Sequence, residues 1–189
     1  MELPAETLDI CQDMVSYHSV KKSEFLLSSG NIGGYTYFVE KGILRMYSLS
    51  TCGKEHIVQF APERWMVTDR RSTYMNEPSV YYIQAVEKSE VVFLQRGFLE
   101  KITSLHPQTS TKLLFYLQRN IMLMQHRINM LLGGTAEERY LEFLKQYPQL
   151  ISRVPLYMIA SYLGITPESL SRVRRFESMR SALLGKSNT

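Results

Sequence analysis

The chain has 189 residues, enough for one or two domains with a sizeable core. With 44% hydrophobic and 21% charged residues its composition is globular, which excludes a disordered or collagen-like chain. The formal net charge of +4 permits a polyanionic partner without demanding one.

The place of that charge is more informative. Over residues 153–189 the basic residues are Arg153, Arg172, Arg174, Arg175, Arg180 and Lys186, against the acids Glu168 and Glu177, so this tail holds the whole formal excess. Such asymmetry points to nucleic acid or a membrane surface. No run of 18 apolar residues is present to span a bilayer. "MELPAETLDI" is acidic and lacks the apolar centre of a secretory signal, so the expectation is a cytoplasmic protein with no membrane partner. Cys11 and Cys52 have no C-x-x-C spacing; reduced thiols are expected, with a single long-range bridge as the alternative.

Residues 1 to about 20 read as a short helical lead-in. Over 22–94 the texture changes. "YTYFVEKGILRMYSLS" sets β-branched and aromatic residues in near-alternation around Glu-Lys-Gly, a hairpin signal. "STCGKEHIVQFA" repeats the pattern about a glycine turn. "SVYYIQAVEKSEVVFL" gives two more strands about a polar turn at 87–89. Short strands at this spacing predict an antiparallel jelly roll or small barrel.

Near Pro107 the period switches to that of a helix. Leu114, Leu117, Ile121, Met124, Ile128 and Leu131 follow a 3-4 heptad spacing, with Tyr116, Leu123 and Met130 as a second apolar stripe beside it. Two adjacent apolar faces suit a helix that touches its own roll and a second copy of itself; the alternative is a core helix of a monomer. Gly133 and Gly134 end this helix and are the candidate hinge. Thr135 with Glu138 forms a capping box, and Tyr140, Leu141, Phe143 and Leu144 supply the next apolar face.

The segment 153–176 reads as helix, turn, helix. Pro155 suits a first helical turn, and Leu156, Ile159, Ala160 and Leu163 form a buried stripe. Gly164 is placed to take the left-handed conformation that stops the helix, and Ile165 plugs the turn. Thr166 caps the second helix and Pro167 opens it. On that helix Leu170 and Val173 point inward, whereas Glu168, Ser171, Arg172 and Arg175 share an outer arc of about 100°. Arginine can donate to guanine O6 and N7, and glutamate can accept from cytosine N4. Glu168 is spaced to hold Arg172 in a fixed pose, and Ser169 and Arg174 lie on the flanks, where phosphates would be. An ordinary solvated helix explains any one of these residues; the ensemble favours DNA reading.

These parts, in this order, resemble the superfamily of the cyclic-AMP receptor protein and the fumarate–nitrate regulator, Crp/Fnr. "YFVEKGILRMY" looks like the glycine-turn hairpin of its sensor roll, the heptad helix like its dimerisation helix, and "MIASYLGITPESLSRVRRF" like its helix-turn-helix. The resemblance implies an α+β chain: a cyclic-nucleotide-binding-like jelly roll over 1–106, a dimerisation helix and hinge over 107–134, and a DNA-binding domain over 135–189. It implies a homodimer on a pseudo-palindromic operator in double-stranded DNA, with RNA polymerase and a small-molecule effector as further candidate partners. Glu168 and Arg172 fall at the base-reading positions, with Thr166, Ser169, Ser171, Arg174 and Arg175 around them.

The departures from the pattern are informative. Nucleotide-binding members use Gly-Glu and a later Arg-Ser/Thr. Here Thr68 and Asp69 stand at Gly-Glu, and the later arginine falls at Pro78 or Ser79. A phosphate without that arginine loses roughly 1.5–3 kcal/mol, and Asp69 repels it further. Cyclic AMP is therefore not the expected effector; Arg70 and Arg71, nearby, are candidate contacts for another anion. Iron–sulfur members need four cysteine ligands, and this sequence has two cysteines. His18, His56, His106 and His126 are scattered, so no haem ligand, metal or other cofactor is expected. "QYPQLISRVPLYMIA" runs directly from helix to helix, with no β-wing before the reading helices. No catalytic motif is present and an enzyme is not expected. The competing reading is a small-ligand sensor module whose DNA binding is secondary or lost.

Overall fold

The protein is described by a computed structural model over residues 11–185, with side chains to Arg180. Residues 1–10 of the expected lead-in lie outside the described residues. Cys11 is still helical, but the expected helix does not continue to about 20: Gln12–Met14 is one 3-10 turn and Val15–Val20 is strand β1. Its burial runs from half-buried Val15 through four exposed residues to buried Val20, so no apolar alternation shows.

The strands that follow are β2 (Phe25–Leu27), β3 (Tyr35–Lys41), β4 (Leu44–Leu49), β5 (Glu55–Ala61), β6 (Met66–Val67), β7 (Tyr82–Ala85) and β8 (Ser89–Gln95). Helix α1 (Arg70–Met75) lies before β7, and α2 (Phe98–Leu105) follows β8. The strands form two antiparallel four-stranded sheets, ordered β1-β8-β3-β6 and β2-β7-β4-β5. This is the expected double-sheet roll, in which the first strand pairs with the last. Between the sheets lies the core of Val20, Leu27, Tyr37, Val39, Leu44, Met46, Ala61, Val67, Ile83, Ala85 and Val91. Outside the first sheet, Val92 and Leu94 pack with Cys11, Phe98 and Ile102.

The expected Glu-Lys-Gly hairpin is corrected by the pairing: β3 and β4 belong to different sheets. Gly42, at φ +98°, turns the chain from one sheet to the other directly over Ser89; a Cβ there would lie 2.8 Å from Ser89 Cα. The turn between β7 and β8 makes a second crossing of this kind. Among the described residues, only the glycine turn at Gly53 joins paired consecutive strands, β4 and β5, and Ser50 N–H donates to Lys54 O at 3.0 Å. Arg45, buried on β4, donates to Gln84 Oε1 and pairs with Glu55, while its guanidinium lies 4.3 Å from the Tyr47 ring centre. Both cysteines are free thiols, Cys11 buried and Cys52 exposed, so the bridge is not formed.

The long helix α3 (Pro107–Gly133) is followed by α4 (Ala136–Gln146), α5 (Leu156–Leu163) and α6 (Pro167–Gly185). Contacts divide the chain into two compact units, 1–120 and 121–189, so the division falls inside α3 rather than at Gly133 and Gly134. Among the described residues, no helix is long and apolar enough to cross a membrane.

Candidate nucleic-acid interface

In the second unit the local reading of the helix-turn-helix holds. Pro155 is the N-cap of α5, one place before the helical position expected for it. Ile159, Ala160 and Leu163 are buried as expected and Leu156 is half-buried; Met158 and Tyr162 are buried as well. Gly164 takes φ 66° and ψ 33°; its N–H donates to Ser161 O and the Ile165 N–H to Ala160 O, a Schellman stop. Thr166 Oγ1 accepts the Ser169 N–H at 3.2 Å, and Pro167 is the first helical residue. No strand intervenes between α4 and α5.

Leu170 is fully buried and Val173 half-buried beneath α6. Glu168, Ser171, Arg172 and Arg175 are exposed, while Ser169 and Arg174 are half-buried on the flanks. The expected Glu168–Arg172 pose is corrected: Arg172 donates to Ser169 Oγ at 3.3 Å. The Glu168 carboxyl is held below the usual glutamate range first by its own backbone N–H, then by the Thr166 hydroxyl, with Arg172 contributing least. A carboxylate here also suits the positive end of α6.

Along α3 the two apolar stripes differ. Leu114, Ile121, Met124 and Ile128 are each more than half exposed, Leu131 is exposed at 36%, and Leu117 is half-buried. Phe115, Met122 and Leu132 widen this exposed face. Tyr116, Leu123 and Met130 are half-buried, and the Tyr116 hydroxyl accepts the Met66 N–H at 3.1 Å.

In the roll, most of the residues singled out as an effector pocket are held by other groups of the chain. Asp69, only 5% exposed, is the N-cap of α1 and accepts from the Arg71 and Ser72 N–H groups. Buried Ser79 donates to Asp69 Oδ2 at 2.7 Å. Thr68 donates to Tyr35 O and lies 2.9 Å from the Thr73 hydroxyl. Arg71 pairs with Glu77 on the surface, and Arg70 is exposed. Among the described residues no cluster of His, Cys, Asp and Glu could hold a metal ion. Sequence reading missed Arg127 and Arg139: Arg139 donates to backbone carbonyls, and Arg127 donates to Tyr162 O and lies over the Tyr162 ring, far along the chain, so neither leaves a local side-chain pattern to find.

Residues 17–106 match the model of the cyclic nucleotide-binding domain. The transcriptional activator protein Anr of Pseudomonas aeruginosa is 27% identical over 189 residues, covering 92% of this chain and 75% of its own length. The anaerobic regulatory protein of Haemophilus influenzae is 26% identical over 172 residues, covering 85% of this chain and 66% of its own. Among solved structures, FixK2 from Bradyrhizobium japonicum has the same fold, with a TM-score of 0.75 at 22% identity over 88% of this chain and 86% of that one.

Proposed function

The chain belongs to the Crp/Fnr superfamily of transcription regulators, and on that premise we propose that it is a homodimeric, sequence-specific DNA-binding regulator controlled by an effector other than cyclic AMP, or by none. The carrying observation is the outer face of α6: Glu168, Ser171, Arg172 and Arg175 exposed together on a helix that is capped at Thr166 and seated on Leu170.

In this reading α6 enters the major groove by its N-terminal turns. Arg172 donates to guanine O6 and N7, Glu168 accepts from cytosine N4, and Ser171 serves either base. Thr166, Ser169, Arg174 and Arg175 hold the phosphates and fix the register. Two copies pair along the exposed seam from Leu114 to Leu131, which sets two reading helices about 34 Å apart on a pseudo-palindrome. Cyclic AMP in the family's usual pose has no place here, because Asp69 and Ser79 bond to each other where an anion would need a cation. Arg70 and Arg71 remain the roll's candidate contacts for another effector.

The test is selection of bound fragments from a random DNA library at two salt concentrations, with wild type and Arg172→Ala. The wild type enriches a two-fold-related site. Arg172→Ala keeps weak, salt-sensitive binding but loses about 1–3 kcal/mol of base discrimination. No enriched site for the wild type, with or without candidate effectors, overturns the proposal and favours the ligand-sensor reading.

A further inference from the structure

The turn of the helix-turn-helix is fastened to the end of α3. The last carbonyls of a helix lack partners within it and lie at the negative end of its dipole. Here the ends of α3 and α5 share one cation, Arg139 of α4. Its Nη2 donates to Leu131 O at 3.0 Å, its Nε to Gly134 O at 3.0 Å and its Nη1 to Leu163 O at 3.1 Å. From α3, Arg127 Nη2 donates to Tyr162 O at 2.9 Å, with its guanidinium 4.0 Å from the Tyr162 ring centre.

Gly164 fits this junction for a second reason beyond its positive φ. A Cβ there would lie 3.1 Å from Leu131 Cδ2 and 3.5 Å from Arg139 Nη1. Leu131 is the last heptad position, so the end of the seam touches the turn that starts the reading helix. Gly134 is held as well: its N–H donates to Met130 O at 2.9 Å while its carbonyl is taken by Arg139. Gly134 is thus a clamped corner, in keeping with the last turns of α3 grouping with α4–α6. Farther along α6, Arg180 donates to Glu137 on α4 at 2.8 Å.

We propose that Arg139 is a positioning residue that fixes the angle between the seam end of α3 and the reading helix, and so sets the half-site spacing the dimer accepts. The inference rests on the DNA-reading proposal above. A planar guanidinium directs several N–H donors at once; a lysine ammonium is a point charge and a glutamine amide reaches fewer acceptors.

The test uses the full chain as wild type, Arg139→Lys and Arg139→Gln. Binding is measured to duplexes with one selected half-site and with two half-sites whose separation changes one base pair at a time. The wild type should prefer one separation by about tenfold or more. Arg139→Gln should bind the single half-site within about threefold of wild type, yet spread its preference over neighbouring separations, with Arg139→Lys between the two. Hydrogen exchange should quicken at 131–136 and 162–166 alone; faster exchange throughout α4–α6 marks a merely structural role and overturns the proposal. So does a spacing profile in Arg139→Gln that matches wild type. A wild type that binds no duplex overturns the DNA reading and the spacing claim with it, and is told apart from failure of this inference by that absence of binding.

Discussion

Replacing Asp69 with alanine separates a structural role from a sensing one. The carboxylate accepts from Arg71 N–H at 3.1 Å, Ser72 N–H at 3.4 Å and Ser79 hydroxyl at 2.7 Å. The first two cap α1, and losing such a cap costs about 0.5–2 kcal/mol. Ser79 also lies 3.1 Å from Tyr81 O, so its hydroxyl can turn there and the third bond adds about 0.5–1 kcal/mol. The total is about 2 kcal/mol, which lowers the melting temperature of a domain of this size by roughly 8–15 °C. Asp69→Asn keeps an acceptor oxygen, is an equally good cap, and should lose less than about 1 kcal/mol. Thermal unfolding followed by circular dichroism, with and without saturating cyclic AMP, checks both variants. If Asp69 served instead to repel a phosphate, its removal would spare stability and let the nucleotide raise the melting temperature. Either result, an unchanged melt or a nucleotide-dependent rise in Asp69→Ala, refutes the reasoning.

Two further outcomes follow from α3 and α4. Ile121 is 55% exposed, and burying the rest of its side chain in a seam is worth about 1–1.5 kcal/mol per copy. Ile121→Glu should therefore raise the dimer dissociation constant by about 30-fold or more in sedimentation equilibrium, and an unchanged constant removes the seam from the interface. Glu138 is held below the usual glutamate range first by the Thr135 backbone N–H and then by its side chain. A depressed folded pKa means the capping box contributes fully above the unfolded-state value and fades as pH falls through the folded one. The Thr135 amide and Glu138 carboxyl signals in NMR should titrate together below the range of an unperturbed glutamate, and titration within or above that range contradicts the box.

What the sequence discloses tracks how far its cause reaches along the chain. Gly164, Thr166 and the Thr135–Glu138 box are settled within a few residues, and each was legible because cap and turn chemistry is local. The heptad stripe was legible for the same reason, since side chains three and four apart share a face whatever covers them. Strand partners are not local. Val15 pairs with Leu94, and the Glu-Lys-Gly turn that resembles a hairpin leads from one sheet to the other. Burial leaves no local trace of that crossing, since every residue from Gly42 to Tyr47 is buried. The expected effector pocket shows both limits. Pro78 and Ser79, where the resemblance implies an arginine, could be read from the sequence, but not that Ser79 would donate to Asp69, ten residues back. Arg139 stands furthest from legibility because its three acceptors are carbonyls, which every residue carries; only the folded corner brings Leu131, Gly134 and Leu163 within reach of one guanidinium. Residues proposed to read bases announce themselves by side-chain type, whereas a residue proposed to aim their helix acts through backbone geometry and is found only in the fold.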